Sequence, residues 1–173
     1  MRAPLLFRCS CAAYPVLAAA CYWVAASPLG LRGGRYLGLH LALSAVMLAA
    51  WALGRDGSSP EHRWTLLAGL CARVVLIAAP AFTSHDVTRY LWDGAVANAG
   101  FDPYPYAVSA PELHDLRAQW PNAPEHLGYP TLYPPGAIAA FSLCAALGPT
   151  LAVWAWKVLV VSASCAALVA RLR

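Results

Sequence analysis

The feature that most constrains this chain is a series of apolar runs near bilayer-crossing length, broken by one long polar and aromatic stretch at residues 83–133. A membrane-crossing helix needs about 20 predominantly apolar residues, because hydrocarbon offers no partner to backbone N–H and C=O groups and the helix must bond them internally. Runs of this kind lie at residues 9–31, 36–53, 64–82, 134–147 and 151–170. The expected fold is therefore all-α. It is a polytopic transmembrane helical bundle of about five spans, one membrane domain over residues 1–173, with a long extracytoplasmic loop containing short amphipathic helices. Hydrophobic residues make up 60% of the chain and charged residues 12%, a balance that argues against a water-soluble domain.

The breaks between runs carry most of the charge. Arg32-Gly33-Gly34-Arg35 reads as a short polar break, and RDGSSPEHR at residues 55–63 as a loop with Gly, Ser and Pro as turn residues. Arg2 and Arg8 ahead of the first run fit either a first span or a signal peptide, with Ala25, Ala26 and Ser27 as a possible cleavage site. Tyr14, Pro15, Tyr22 and Trp23 make a poor signal core, so an uncleaved helix is expected. The arginines do not decide orientation by the positive-inside rule. The working choice places the N-terminus inside, the long loop outside, and the protein as a multi-pass protein of the cell membrane.

The net charge of +4 comes from scattered arginines, with Lys157 the one lysine, so nucleic acid is not an expected partner. The six cysteines fall mostly in apolar runs without a C-x-x-C pair and read as small packing residues. Glu112, His114, Asp115, Glu125 and His126 lack metal-ligand spacing, so no tightly held metal and no cofactor is expected, with a loosely bound divalent cation left open. Arg73 falls near the middle of the third run. A charge at that depth faces a bundle interior or polar cavity and marks either a functional site or a structural ion pair or snorkelling side chain.

The stretch at 83–133 is where chemistry is expected. Residues 86–99 and 111–120 have the pattern of short amphipathic helices, the second with Pro111 at a suitable first position. At about 100° per residue, Asp86, Arg89, Tyr90 and Asp93 share one sector of the first helix, opposite Val87, Leu91 and Ala95. Such a helix can lie at the membrane surface with its acidic side toward a water-filled cleft. The ordinary meaning of these spacings is also available: Thr83-x-x-Asp86 fits a capping box, and Arg89 with its acidic neighbours fits surface ion pairs. Trp92, Phe101, Tyr104 and Tyr106 suit either stacking on a ligand or an interfacial aromatic belt. Tyr129, Tyr133 and Pro134-Pro135 suit the re-entry into the fourth run or a substrate contact.

Three ordered segments carry a resemblance. S-H-D-V-T-R-Y-L-W-D-G at residues 84–94, G-F-D-P-Y-P-Y at 100–106 and Y-P-T-L-Y-P-P at 129–135 resemble the first large extracytoplasmic loop of bacterial GT-C glycosyltransferases. These multi-spanning enzymes include polyprenyl-phosphate-mannose-dependent mannosyltransferases. The resemblance implies inverting transfer of a mannose-like sugar from a polyprenyl-phosphate donor to a hydroxyl of a glycan or glycolipid acceptor. It implies Asp86 as general base, and the residues themselves add Arg89, Tyr90, Asp93, His85, Arg73, Tyr104 and Tyr133 as substrate-binding candidates. Where such loops often carry two adjacent acidic residues, this chain has His85-Asp86. The resemblance covers the N-terminal third to half of that architecture, so an incomplete enzyme or one needing a partner subunit is expected. The rival readings are a non-catalytic membrane subunit or degenerate fragment, and a transporter with Arg73 and Lys157 along its path.

Overall fold

The structure is a computed structural model that describes residues 2–54, 59–80, 86–120 and 127–170, and of residues 2–4 and 59–62 the backbone alone. Among the described residues seven α-helices follow in order: α1 (Arg2–Ala25), α2 (Leu29–Gly54), α3 (Ser59–Leu76), α4 (Asp86–Asn98), α5 (His114–Gln119), α6 (Pro135–Ala145) and α7 (Gly148–Ala170). A 3₁₀ turn at Pro111–Leu113 leads into α5. The described residues contain no strand, so the architecture is all-α. It divides into two compact units, Met1–Pro80 with Val161–Arg173, and Ala81–Val160.

Among the described residues three helices are long and apolar enough to cross a membrane: Leu5–Ala25, Leu29–Gly54 and Gly148–Ala170. This makes the chain a membrane protein. Large apolar side chains along α2, among them Leu37, Leu41, Leu48 and Trp51, are exposed, which suits lipid tails and would be unfavourable in water. The fourth and third expected spans differ from that pattern. Helix α6 has 11 residues, about 16 Å at 1.5 Å per residue, against a hydrocarbon core of about 30 Å. Helix α3 has 18 residues and begins at Ser59-Pro60, inside the expected loop, because Pro is preorganised for a first helical turn. It therefore takes in Glu61 and Arg63 as well as Arg73.

In the first unit α1 packs against both α2 and α3. The turn between α1 and α2 falls at Ala26–Pro28 rather than at Arg32–Arg35, which belong to α2. Pro28 sets the boundary. It cannot continue α1, and its carbonyl accepts from the N–H groups of Leu31 and Arg32 at 3.0 Å each. The glycines that suggested a break, Gly33 and Gly34, lie within the helix.

In the second unit α4 is central. Its middle turns, Leu91 to Val96, are buried on every side. Trp92 and Val96 join Val108 and Leu113 in one apolar cluster, flanked by Phe101, Tyr106, Leu116 and Trp120. Leu91 joins Cys144 of α6 and Ala152 of α7 in another. The helix ends in a Schellman motif. Gly100 has φ of 83°, its N–H donates to Ala97 O at 3.1 Å, and Phe101 N–H donates to Val96 O at 3.2 Å.

Helix α6 crosses α4 at Gly94, where a Cβ would sit 2.4 Å from the carbonyl carbon of Phe141. Only glycine allows that approach. The crossing is bonded on both sides: Asn98 Nδ2 donates to Ser142 O at 2.9 Å, and Ser142 Oγ donates to Gly94 O at 3.4 Å. Gly94→Ala is expected to destabilise the protein by about 1–3 kcal/mol or more by overpacking against backbone that cannot yield. Gly33→Ala, whose added Cβ meets nothing within 4 Å, serves as control. Thermal unfolding in detergent measures the difference, and equal midpoints for the two variants would refute the close crossing.

Candidate functional site

The candidate site is built on α4 and on the chain that enters α6. Asp86 lies exposed in the first turn of α4, Arg89 and Tyr90 are half-buried in the next, and Asp93 falls within the buried stretch that begins at Leu91. The chain at Tyr129–Tyr133 is held against them. Arg89 Nη2 donates to Tyr129 O at 3.0 Å, and the Tyr104 hydroxyl donates to Tyr133 O at 2.9 Å. Tyr104 is itself positioned by a turn in which its N–H donates to Asp102 Oδ1 at 3.0 Å, with Pro103 O accepting from Thr131 N–H at 3.4 Å. The described part of the first sequence segment, residues 86–94, thus meets the segments at 100–106 and 129–135 at one place.

Asp93 is the unexpected member. The helical-wheel reading turned its carboxylate toward a water-filled cleft, yet Asp93 is 2% exposed. The difference arises because α6 covers the α4 face that periodicity alone leaves open. Arg89 Nε donates to Asp93 Oδ1 at 2.9 Å, with the Arg89 side chain 13% exposed. Asp93 Oδ2 is buried with no partner in hydrogen-bond geometry. Burial pushes the Asp93 carboxyl above its ordinary range, while the neighbouring Thr131 hydroxyl and the Arg89 guanidinium hold it down.

Tyr90 lies at the centre of an aromatic cluster. It stacks on Phe141 at 4.9 Å between centroids and meets Tyr133 edge-on at 5.1 Å and Trp156 at 5.6 Å. Pairs of this geometry contribute about 0.5–1.5 kcal/mol each beyond their buried area. The Tyr133 phenol is pushed above its usual range by burial, by the Tyr90 phenol, and by the Asp86 and Asp93 carboxylates. That influence places Tyr133 within the electrostatic reach of Asp86. An exposed carboxylate with a guanidinium one turn along the helix is chemically able to take a proton from a bound hydroxyl and to face an anionic group.

The candidates drawn from the sequence thus divide. Asp86, Arg89, Tyr90, Asp93, Tyr104 and Tyr133 share the second unit. Arg73 belongs to the first, where its Nε donates to Ser164 Oγ at 2.6 Å and its Nη1 to Gly69 O at 2.9 Å. His85, Thr83, Glu125 and His126 lie outside the described residues. Trp92 is a core residue, buried and unable to stack on a ligand, and Phe101 and Tyr106 pack on the same core. Lys157 sits over the Trp154 ring, 5.3 Å from its centroid.

Two contributors gave little sequence signal. Thr131 is buried beside Asp93, and nothing in its spacing marks it apart from its place inside Y-P-T-L-Y-P-P. Arg117 donates from Nη1 to Val108 O at 2.6 Å and Ala110 O at 2.8 Å, tying α5 to the preceding loop. Among the described residues no group of three or more His, Cys, Asp or Glu could hold a metal ion. His114 and Asp115, 3.1 Å apart, are both highly exposed.

The chain matches no protein-family model, no curated protein and no solved structure.

The buried pair has a pH signature. Because the folded pKa of Asp93 lies above that of the unfolded chain, the folded state keeps the proton longer. The contribution of this group to stability therefore falls as pH rises from about 3.8 through the raised value. Arg89→Met removes the cation that opposes the rise, so the window extends upward. The variant is expected to lose about 3–5 kcal/mol at neutral pH and to recover part of that in acid as Asp93 takes up a proton. Unfolding midpoints of wild type and variant across pH measure this, and a loss independent of pH would contradict it.

Proposed function

We propose that this chain belongs to a class of membrane enzymes that move a group from a lipid-borne donor to a polar acceptor at the membrane surface. More particularly, it acts as a GT-C-like glycosyltransferase of the cell membrane, alone or with a partner subunit that supplies further spans. The donor is a polyprenyl-phosphate sugar, mannose-like by resemblance, and the acceptor is a hydroxyl of a glycan or glycolipid.

In the proposed reaction Asp86 takes the proton of the acceptor hydroxyl while that oxygen attacks the anomeric carbon. The bond between that carbon and the phosphate oxygen breaks, configuration inverts, and polyprenyl phosphate leaves with the bonding electrons. A positioned base contributes about 10² to 10⁴ in rate to such a step. Tyr104 and Tyr133 supply hydroxyl and ring contacts for the sugar. Arg89 faces the leaving phosphate only with the part of its guanidinium that Asp93 and Tyr129 do not occupy.

The observation that carries the reading is the exposed carboxylate of Asp86 at the start of a helix whose later turns are clamped by the Arg89–Asp93 pair and the Tyr90 cluster. A base must be held in place by groups other than itself. A second reading, a non-catalytic subunit, draws on the same pair: Arg89 and Asp93 are bonded as structural residues, as a loop kept for folding would have them.

Purified protein reconstituted with polyprenyl-phosphate mannose and other lipid-linked sugars separates the two. Sugar transfer is expected with wild type, and Asp86→Asn is expected to lower its rate by about 10² to 10⁴ while leaving the unfolding midpoint within about 1 kcal/mol. Transfer by Asp86→Asn at the wild-type rate would remove Asp86 as base, and no transfer by wild type with any donor would favour the non-catalytic subunit.

A further inference from the structure

The first unit holds a cationic feature that the proposed transfer reaction does not use. Arg32 and Arg35 occupy the first two turns of α2, at i and i+3, so both guanidiniums extend along one side of the helix. Both reach back to the turn that ends α1. Arg32 Nη2 donates to Ser27 O at 3.1 Å, and Arg35 Nη1 donates to Ser27 Oγ at 2.7 Å. Ser27 is 3% exposed and donates to Trp23 O at 2.8 Å, so it is a fixed anchor for both. Arg35 also lies over the Trp23 ring, 4.2 Å from its centroid. The pair is therefore preorganised, which lowers the entropy lost when a ligand binds.

What the pair lacks is an anion. Among the described residues neither arginine has a carboxylate partner, and two guanidiniums close together repel each other. Arg32 Nε is buried with no hydrogen-bond acceptor. A buried N–H without an acceptor is unfavourable, so the hydrogen-bonding capacity of Arg32 is not fully matched within the fold. The positive end of α2 adds to the same field.

Position supplies the source. The turn joins two membrane-spanning helices, and α2 spans 26 residues, about 39 Å, which exceeds the hydrocarbon thickness of about 30 Å. The excess of about 9 Å, taken up at the N-terminal end where the charges are, sets both arginines at headgroup depth. The end of α3 is at this same level, since the Tyr22 hydroxyl donates to Val75 O at 2.6 Å. Trp23 and Tyr22 fit an interfacial aromatic belt.

We propose that Arg32 and Arg35 form a binding site for the phosphate of an anionic phospholipid headgroup at the α1–α2 turn. Paired guanidiniums match phosphate oxygens through parallel N–H donors, where lysines would offer only point charges. Because the site is independent of Asp86, it stands whether or not the protein transfers sugar.

Native mass spectrometry of the full chain, released from detergent containing phosphatidylglycerol or phosphatidylcholine, tests this. Wild type is expected to retain phosphatidylglycerol about tenfold more strongly than phosphatidylcholine, and Arg32→Gln/Arg35→Gln to lose most of that preference. Arg63→Gln, a charge loss elsewhere in the same unit, should keep it. Arg32→Lys/Arg35→Lys, a milder change that preserves charge and protects against a folding artefact, should show an intermediate preference. Inorganic phosphate is expected to compete weakly. Equal retention of the two lipids by wild type, an unchanged preference in the Gln variant, or competition by inorganic phosphate at matched concentration would each overturn the lipid-headgroup assignment.

Discussion

The crossing of α6 over α4 at Gly94 is the contact on which the second unit depends. It brings the two backbones closer than any side chain permits, and that closeness covers the middle of a helix whose sequence is only half apolar. Asp93 lies one residue before the crossing. Its carboxylate is therefore buried by the same contact, and burying an unpaired carboxylate would cost several kcal/mol. Arg89, one turn earlier, supplies the cation at 2.9 Å. The ion pair is thus a consequence of the crossing, and it holds the Arg89 guanidinium where its Nη2 also donates to Tyr129 O, which ties α4 to the chain entering α6.

Much of this architecture was legible in the residues because it follows from local rules. The long apolar runs, the start of α4 at Asp86, the Pro111 that opens the 3₁₀ turn and the Pro134-Pro135 pair ahead of α6 are all dictated by backbone chemistry within a few positions. Their meeting in one place is consistent with the order of the three aromatic segments. The burial of Asp93 was not legible. Helical periodicity describes a helix in isolation, and it gives a polar face to solvent by default. The small residues that let α6 approach, Gly94 above all, carry no periodic signal of their own. The boundary at Pro28 was likewise masked by Arg32-Gly33-Gly34-Arg35, whose composition looks like a turn although the residues are helical. Glycine is tolerated inside membrane helices, and the two arginines gain from reaching back to the end of α1.

Both units hold charged side chains in a mostly apolar chain by the same device, a direct bond to a nearby oxygen of the same unit. In the second unit the anchor is the Asp93 carboxylate. In the first, Arg73 uses the Ser164 hydroxyl and its own helix carbonyl at Gly69, and Arg32 and Arg35 use Ser27. The difference lies in compensation. Arg89 meets an opposite charge, while the arginines of the first unit meet neutral oxygens, which satisfy geometry and leave the charge uncancelled.

That difference decides which polar groups remain available to a ligand. A side chain whose charge and hydrogen bonds are both matched within the fold is a poor partner for anything else, since binding would first have to break what is already made. Asp93 Oδ1 and the Nε of Arg89 are of this kind, while Asp93 Oδ2 and Trp92 are closed to a ligand by burial. Asp86 is held at the exposed start of the same helix without being buried by the crossing. Function on the α4 face is therefore expected at its first turn rather than along its whole acidic side, and the later turns act through the rigidity they confer. The same reasoning directs anionic ligands toward Arg32 and Arg35, whose position is fixed and whose charge meets only neutral oxygens.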